Sequence, residues 1–283
     1  MTQELRIAAL DQLSQYDRCV DLQIQVWGYS DGDVIPRRVF LVAQRIGGQV
    51  LGAYDRDTIV GFAMALPGFR NGHAYLHSHM LAVLPEYRNA GLGRRLKLAQ
   101  RDDALARGFD LMEWTFDPLE IKNSHLNIAR LGAIVRRYYP DFYGPSSSPL
   151  QGGLPTDRVY AEWWLRSRRV EELLSGEPVP PPTITTQVDV PALVYEWKQD
   201  AEQRMLASDL QTRNRVALQT AFASGLAVLD YKRDAEGNGS FLLGPLPEGP
   251  WTERSIADTS HPSDPRPPFG AIDSLQGQES AHD

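Results

Sequence analysis

The sequence predicts a mixed α/β sheet, of the α+β kind, followed by a small C-terminal α/β appendage. Three observations lead there. Strand and helix signals alternate over residues 1–168. Two apolar runs flank the turn Asp55, Arg56 and Asp57, the mark of a hairpin. The composition then changes at the consecutive Pro180, Pro181 and Pro182.

In chain order, residues 5–10 read as a short strand. Residues 11–27 read as a helix with apolar points at Val20, Ile24 and Trp27. Residues 50–54 and 58–66 form the hairpin, and 74–83 a further strand. Residues 92–107 are helical, and Gly108 suits the C-terminal cap. Residues 109–116 return to strand, 121–131 form a helix closed by Gly132, and 133–139 and 159–165 are the last two strands. These elements give a first domain over residues 1–170 and a stiff proline-rich linker over 171–190. The appendage, 191–245, holds a helix over 196–224 stopped by Gly225. A hairpin of 227–232 with 241–243 follows, turning at Glu236, Gly237, Asn238 and Gly239. Such a piece is too short for a core of its own, so it packs either on the first domain or on a second subunit in a homodimer. Residues 246–283, rich in proline, serine, glycine and acidic groups, read as a disordered tail.

Bulk properties mainly exclude. The 283 residues suffice for one large or two modest domains, and 42% are hydrophobic, enough for a core. A net charge of −7 argues against a general nucleic-acid partner, so an anionic ligand has to meet a local basic cluster. Cys19 is the only cysteine, which excludes an intrachain disulfide and a cysteine-rich zinc site; no metal is expected. The first residues, MTQELRIAAL, lack the plan of a signal peptide. No apolar run approaches the ~20 residues of a membrane span. The expectation is a cytoplasmic protein without a membrane partner.

One segment carries chemistry. From His77 to Lys97 the sequence reads HSHMLAVLPEYRNAGLGRRLK. A strand ends, Arg88, Asn89, Ala90, Gly91, Leu92 and Gly93 follow, and a helix begins at once. Glycine lets the backbone turn sharply and approach a ligand. The helix start adds unpaired N–H donors and a positive dipole end. Arg88, Arg94, Arg95 and Lys97 add four cations, which suits a polyanion such as a pyrophosphate. Neither a P-loop Gly-Lys-Ser/Thr nor the three-glycine nicotinamide pattern is present.

The segment closely resembles motif A of the GCN5-related N-acetyltransferase (GNAT) superfamily, Arg/Gln-x-x-Gly-x-Gly/Ala, with Leu81 to Arg88 similar to its lead-in. The element order matches the family fold over residues 1–168. The resemblance implies acetyl-CoA or another acyl-CoA as co-substrate. Backbone amides of Asn89, Ala90, Gly91, Leu92, Gly93 and Arg94 would cradle its pyrophosphate beside Arg88. Pantetheine would bond main-chain groups near Leu81 and Val83, and the sheet would splay between 77–83 and 109–116. The stretches 114–119, 127–133 and 154–158 resemble an uncharacterised bacterial branch of the superfamily, part of it linked to N-succinylation of amino acids.

His77 and His79 stand at i and i+2, on one face of a regular strand. The family often carries its general base where His77 stands, and the His-x-His-x-Leu-Ala-Val pattern resembles the arylalkylamine acetyltransferases, where paired histidines relay a proton through water. The residues themselves equally allow hydrogen bonding within the sheet or part of a metal site. The family's usual thiolate-protonating tyrosine falls at Ile128, so that acid is missing; Tyr138, Tyr139, Tyr143 or water remain as substitutes. Glu113, Thr115 and Asp117 share a strand face, lining an acceptor site or facing solvent. Asn123, one turn before Asn127, stands near a family coenzyme A asparagine in shifted register. The expected activity is transfer of an acyl group, acetyl first, to the amine of a small molecule or amino acid. Alternatives are N-succinyl transfer to amino acids and a non-catalytic acyl-CoA-binding module.

Overall fold

The computed structural model describes residues 5–30, 32–70 and 72–249. The chain opens with strand β1 (Leu5–Ala9), helices α1 (Leu13–Trp27) and α2 (Arg37–Arg45), then strands β2 (Gln49–Asp55), β3 (Thr58–Arg70) and β4 (His73–Val83). Helix α3 (Leu92–Ala106), strand β5 (Leu111–Phe116) and the short helix α4 (Ile121–Ser124) follow, then β6 (Ile134–Tyr139) and β7 (Arg158–Trp164). The remainder is α5 (Arg168–Ser175), β8 (Thr186–Val190), α6 (Val194–Gln199), α7 (Arg204–Ala223), β9 (Leu226–Arg233) and β10 (Gly239–Pro245).

The strands form one mixed ten-stranded sheet in the order β1-β2-β3-β4-β5-β7-β6-β9-β10-β8. Neighbours run antiparallel except β4 and β5, which are parallel. Helices cover the β2–β4 part on both faces. Phe62 meets Trp27 of α1 and Phe40 of α2 edge-on, at 6.4 and 5.6 Å between ring centroids. Ala63, its neighbour, must face the other way. It pairs with Leu81, and Leu81 lies against Gly93 of α3. So α1 and α2 cover one face and α3 the other.

Several elements depart from the sequence reading. Helix α2 follows Pro36 and buries only Phe40 and Ala43, a period too brief to stand out. Strand β8 lies inside the expected linker; only Val188 and Val190 of its five residues are buried. The expected helix over 196–224 is two. Asp200 leaves helical geometry with ψ 121°, and its carboxylate accepts a hydrogen bond from the Glu202 amide at 2.9 Å. The helix from Ile121 widens into a π turn over His125–Arg130 before Gly132, whose φ of 81° ends it.

The appendage is not a separate unit. β9 joins β6 through Val135 and Val228, and β10 and β8 extend the same sheet. Trp163 and Val135 share one buried cluster with Leu210, Leu218, Val228 and Phe241, so the boundary expected at residues 171–190 divides no core. Buried polar pairs fasten the join. The Arg215 guanidinium donates twice to Asp157, at 2.8 and 2.9 Å. Lys198 Nζ lies 3.2 Å from Asp117 and 2.9 Å from Glu120. Order continues past residue 245, since Leu246 packs on Leu111, Ile134 and Trp164. Residues 250–283 of the expected tail lie outside the described residues.

Candidate functional site

β4 and β5 pair only at Leu76 with Met112 and His77 with Glu113. Beyond that point β4 continues to Val83 and β5 to Phe116 without pairing, so a wedge opens in the sheet. A β-bulge sits at its apex. Met64 of β3 pairs with Met80, and Ala65 with Ser78, leaving His79 as the extra residue. A bulge re-aims side chains and alters the local twist. Ser78 therefore shares the α3 face with Ala65. His77, paired with Leu66, points to the α1–α2 face, with the His79 ring 6.0 Å away.

Burial disfavours charge on both imidazoles. His77 is lowered to about 4, first by burial and then by His79, Lys97, Arg137 and Arg70. His79 is lowered by burial. Both are neutral at pH 7, the form that accepts a proton.

At the open end of β4 the chain passes through Arg88, whose guanidinium donates to the Val83 carbonyl at 3.1 Å. Asn89 (φ 61°) and Gly91 (φ 77°) are left-handed, and Gly91 caps α3. An N-terminal helical turn leaves its first N–H groups without intrahelical partners. A Cβ at Gly91 would meet no heavy atom within 4 Å, so the space before those amides is open. Arg94 carries a buried Nε with no hydrogen-bond partner. Asn89, Ala90 and Gly91 are exposed, while Leu92 is buried and anchors the turn. A Cβ at Gly93 would stand 3.6 Å from Leu81. This open, amide-rich turn fits the phosphates of an acyl-CoA. Asn123 lies exposed on α4 and accepts a bond from Asn127 at 3.3 Å.

The wedge's α1–α2 face carries a charged and aromatic floor. Glu113 is fully buried, not solvent-facing, and accepts hydrogen bonds from Arg70 at 2.7 Å and from Arg137. Glu162 beside it meets Arg136 and Arg137. Burial opposes its charge, but the two guanidiniums hold its carboxyl below the usual value. Three arginines thus face two carboxylates. Arg137 lies 4.4 Å over the Tyr160 ring, and Tyr160 adjoins His77, Tyr139 and Phe142. Thr115 is hydrogen-bonded to the Tyr143 hydroxyl at 2.9 Å. Asp117 is drawn away to Lys198 and to the Leu119 amide, so it serves the join to the appendage. Tyr138 donates to Asp157, and burial raises its pKa. Two loops meet over this floor. Ser147 donates to Asp33 between α1 and α2, and Ser148 donates to the Trp27 carbonyl.

The sequence missed Arg70, Arg137, Tyr160 and Glu162. They lie on three strands, β3, β6 and β7, and only the strand order brings them together. Among the described residues no cluster suited to a metal ion is present, and no helix is long and apolar enough to cross a membrane.

Fold and site define a class: an open mixed α/β sheet whose two parallel strands part beside an open, glycine-capped helix start. Residues 46–125 match the family described as acetyltransferase (GNAT) domain. Solved structures with a similar fold include the ribosomal-protein-S18-alanine N-acetyltransferase of Escherichia coli. It is 14% identical, with 56% of this chain and 92% of that one covered at a TM-score of 0.45. A GNAT family acetyltransferase from Streptococcus pneumoniae is 18% identical, covering 56% and 98%, TM-score 0.45. One from Elizabethkingia anophelis, with acetyl-CoA bound, is 12% identical, covering 58% and 99%, TM-score 0.42. No curated protein matches the chain in sequence.

Proposed function

We propose that this chain is an N-acyltransferase that moves an acyl group, acetyl first, from coenzyme A to the amine of a small molecule or amino acid. The observation that carries the reading is one juxtaposition: the open turn at Gly91 leads from the wedge whose apex holds two neutral histidines. Asn89 to Arg94 hold the phosphates, with Arg88 alongside. Main-chain groups of β4 near Leu81 and Val83 that face the gap hold pantetheine. Asn123 is a further contact for the coenzyme.

On the opposite face, His77 and His79 hold a water that takes the proton of the acceptor ammonium. A base lowered to about 4 keeps a proton poorly, so it passes the proton on to solvent rather than storing it. Thr115, with Tyr143, and the Arg70–Glu113 pair line the acceptor side. The floor's one excess positive charge suits an acceptor bearing a carboxylate, such as an amino acid.

The test is thiol release from acetyl-CoA with a panel of amines and amino acids. Turnover with at least one acceptor, reduced roughly 10²–10⁴-fold when His77 and His79 are both changed to glutamine, is expected. Saturable acetyl-CoA binding with no acceptor-dependent release across the panel and with succinyl-CoA would point to a binding module instead.

A further inference from the structure

Lys97 of α3 is an unusual buried residue. Its side chain is almost wholly removed from solvent, and among the described residues it forms no ion pair. Lysine is rarely buried without a carboxylate, because its ammonium loses hydration with nothing to replace it. The amine of Lys97 has two neighbours, one from each wall of the wedge. Nζ donates to Ser78 Oγ of β4 at 2.8 Å and lies 3.7 Å from the centre of the Trp114 ring of β5. Ser78 and Trp114 are the first residues past the last parallel pair, His77 with Glu113. The amine therefore sits at the apex, on the α3 face, with the histidines on the other.

The family's tyrosine position holds Ile128, fully buried and without a proton to give. Tyr138 is occupied by Asp157. Tyr143 and Tyr139 belong to the opposite, acceptor face. We propose that Lys97 is the proton donor to the departing thiolate, an inference that rests on the acyl-CoA reading above. As the acceptor nitrogen bonds to the acyl carbon and the carbon–sulfur bond breaks, the electron pair leaves on sulfur. An Nζ–H proton passes to sulfur, and the nitrogen keeps the pair of that bond. The acceptor nitrogen gives up two protons. The ammonium proton leaves through the histidine-held water to solvent, and the second, lost as the amide forms, restores Lys97. The reaction thus balances as acyl-CoA plus ammonium to amide, thiol and one proton.

The surroundings suit this work. Facing Nζ are the Ser78 hydroxyl from β4, the Trp114 ring from β5 and, through Ser78, the Gln100 amide of α3 at 2.9 Å. The titratable group that feels its charge is His77 across the strand. Burial lowers the Lys97 pKa well below the ordinary lysine value, which makes it a readier donor.

The binding arm of the test uses free coenzyme A as probe, and the kinetic arm uses acetyl-CoA with an acceptor that turns over. Calorimetry measures its binding to the full-length protein and to Lys97→Met. Thiolate absorbance is then followed against pH as the difference between complexes with coenzyme A and with desulfo-coenzyme A. The bound thiol should be about tenfold or more as acidic as the free thiol, as for a cysteine beside a cation. Lys97→Met should bind with similar affinity at low pH but lose that gain, and its kcat should fall with little change in KM. A wild-type thiol that binds yet titrates as in free coenzyme A overturns the inference and leaves the acyltransferase reading standing. Failure of coenzyme A to bind at all overturns both.

Discussion

At the scale of single residues, burial decides what the wedge can do. A neutral imidazole is needed to accept a proton, and His77, lowered to about 4, is neutral across the whole physiological range. The rate between pH 6 and 8 should follow the acceptor amine, rising as it deprotonates, and the imidazole limb should appear only near pH 4. A kcat/KM profile with an inflection near ~6.5, the unperturbed histidine value, would contradict this. The same shift affects stability. Between about 6.5 and 4 the unfolded chain binds a proton at His77 that the native state does not. Stability therefore falls as pH drops through that window and is unaffected above it. Urea midpoints measured from pH 7 to 4 should fall less steeply in His77→Gln. Gly91 makes the other residue-scale case. Its φ of 77° disfavours any side chain, and Gly91→Asp adds a negative charge in the open space before the helix amides. Coenzyme A binding to the folded variant should be lost by calorimetry. Undiminished affinity would mean the turn is not the cradle.

Among elements, how well the sequence can be read depends on whether the signal is local. The β2–β3 hairpin, β4, α3 and the turn at Gly91 were all legible, because glycines, apolar runs and arginines mark them within a few residues. The bulge at His79 was not, since it exists only as a mismatch between β4 and β3. Reading i and i+2 as one face still brought His77 and His79 together, but it gave no hint that Ser78 turns to Lys97. Glu113 read as a surface or acceptor residue for the same reason. Its partners Arg70 and Arg137 come from other strands, and the ion pairs that make its burial tolerable are invisible along the chain. Asp157 is a comparable knot. It is fully buried and accepts bonds from Arg215, Tyr138 and the Asp141 amide. Removing one partner of a buried pair leaves the others uncompensated, so Asp157→Ala should cost about 3–5 kcal/mol in denaturant unfolding.

For the whole molecule, the continuous sheet has a thermodynamic meaning. The proline run suggested two units because composition reports chain stiffness, not what is packed on either side of it. Strands β9, β10 and β8 complete a core that includes Trp163 and Val135, and α7 lies across the join. Calorimetric unfolding should show one cooperative transition with equal calorimetric and van't Hoff enthalpies. A chain ended after Ser175 should lose that transition, having exposed the face that Val228, Phe241 and Leu218 cover. Two separate transitions, or a stable shortened chain, would restore the division that the sequence suggested.

The parting of β4 and β5 also makes a strand edge in the middle of a sheet. Past His77 and Glu113, each strand keeps its other neighbour, while the main-chain groups facing the gap have no strand partner. Amides paired across a ladder exchange their hydrogens slowly, and amides facing water do so quickly. In deuterated buffer, β4 from Ser78 to Val83 should therefore label in alternation, with amides bonded to β3 protected and those turned to the gap not. Coenzyme A should erase the alternation by supplying the missing acceptors. An occupied site would then be visible as slow exchange at single amides, with no acceptor added.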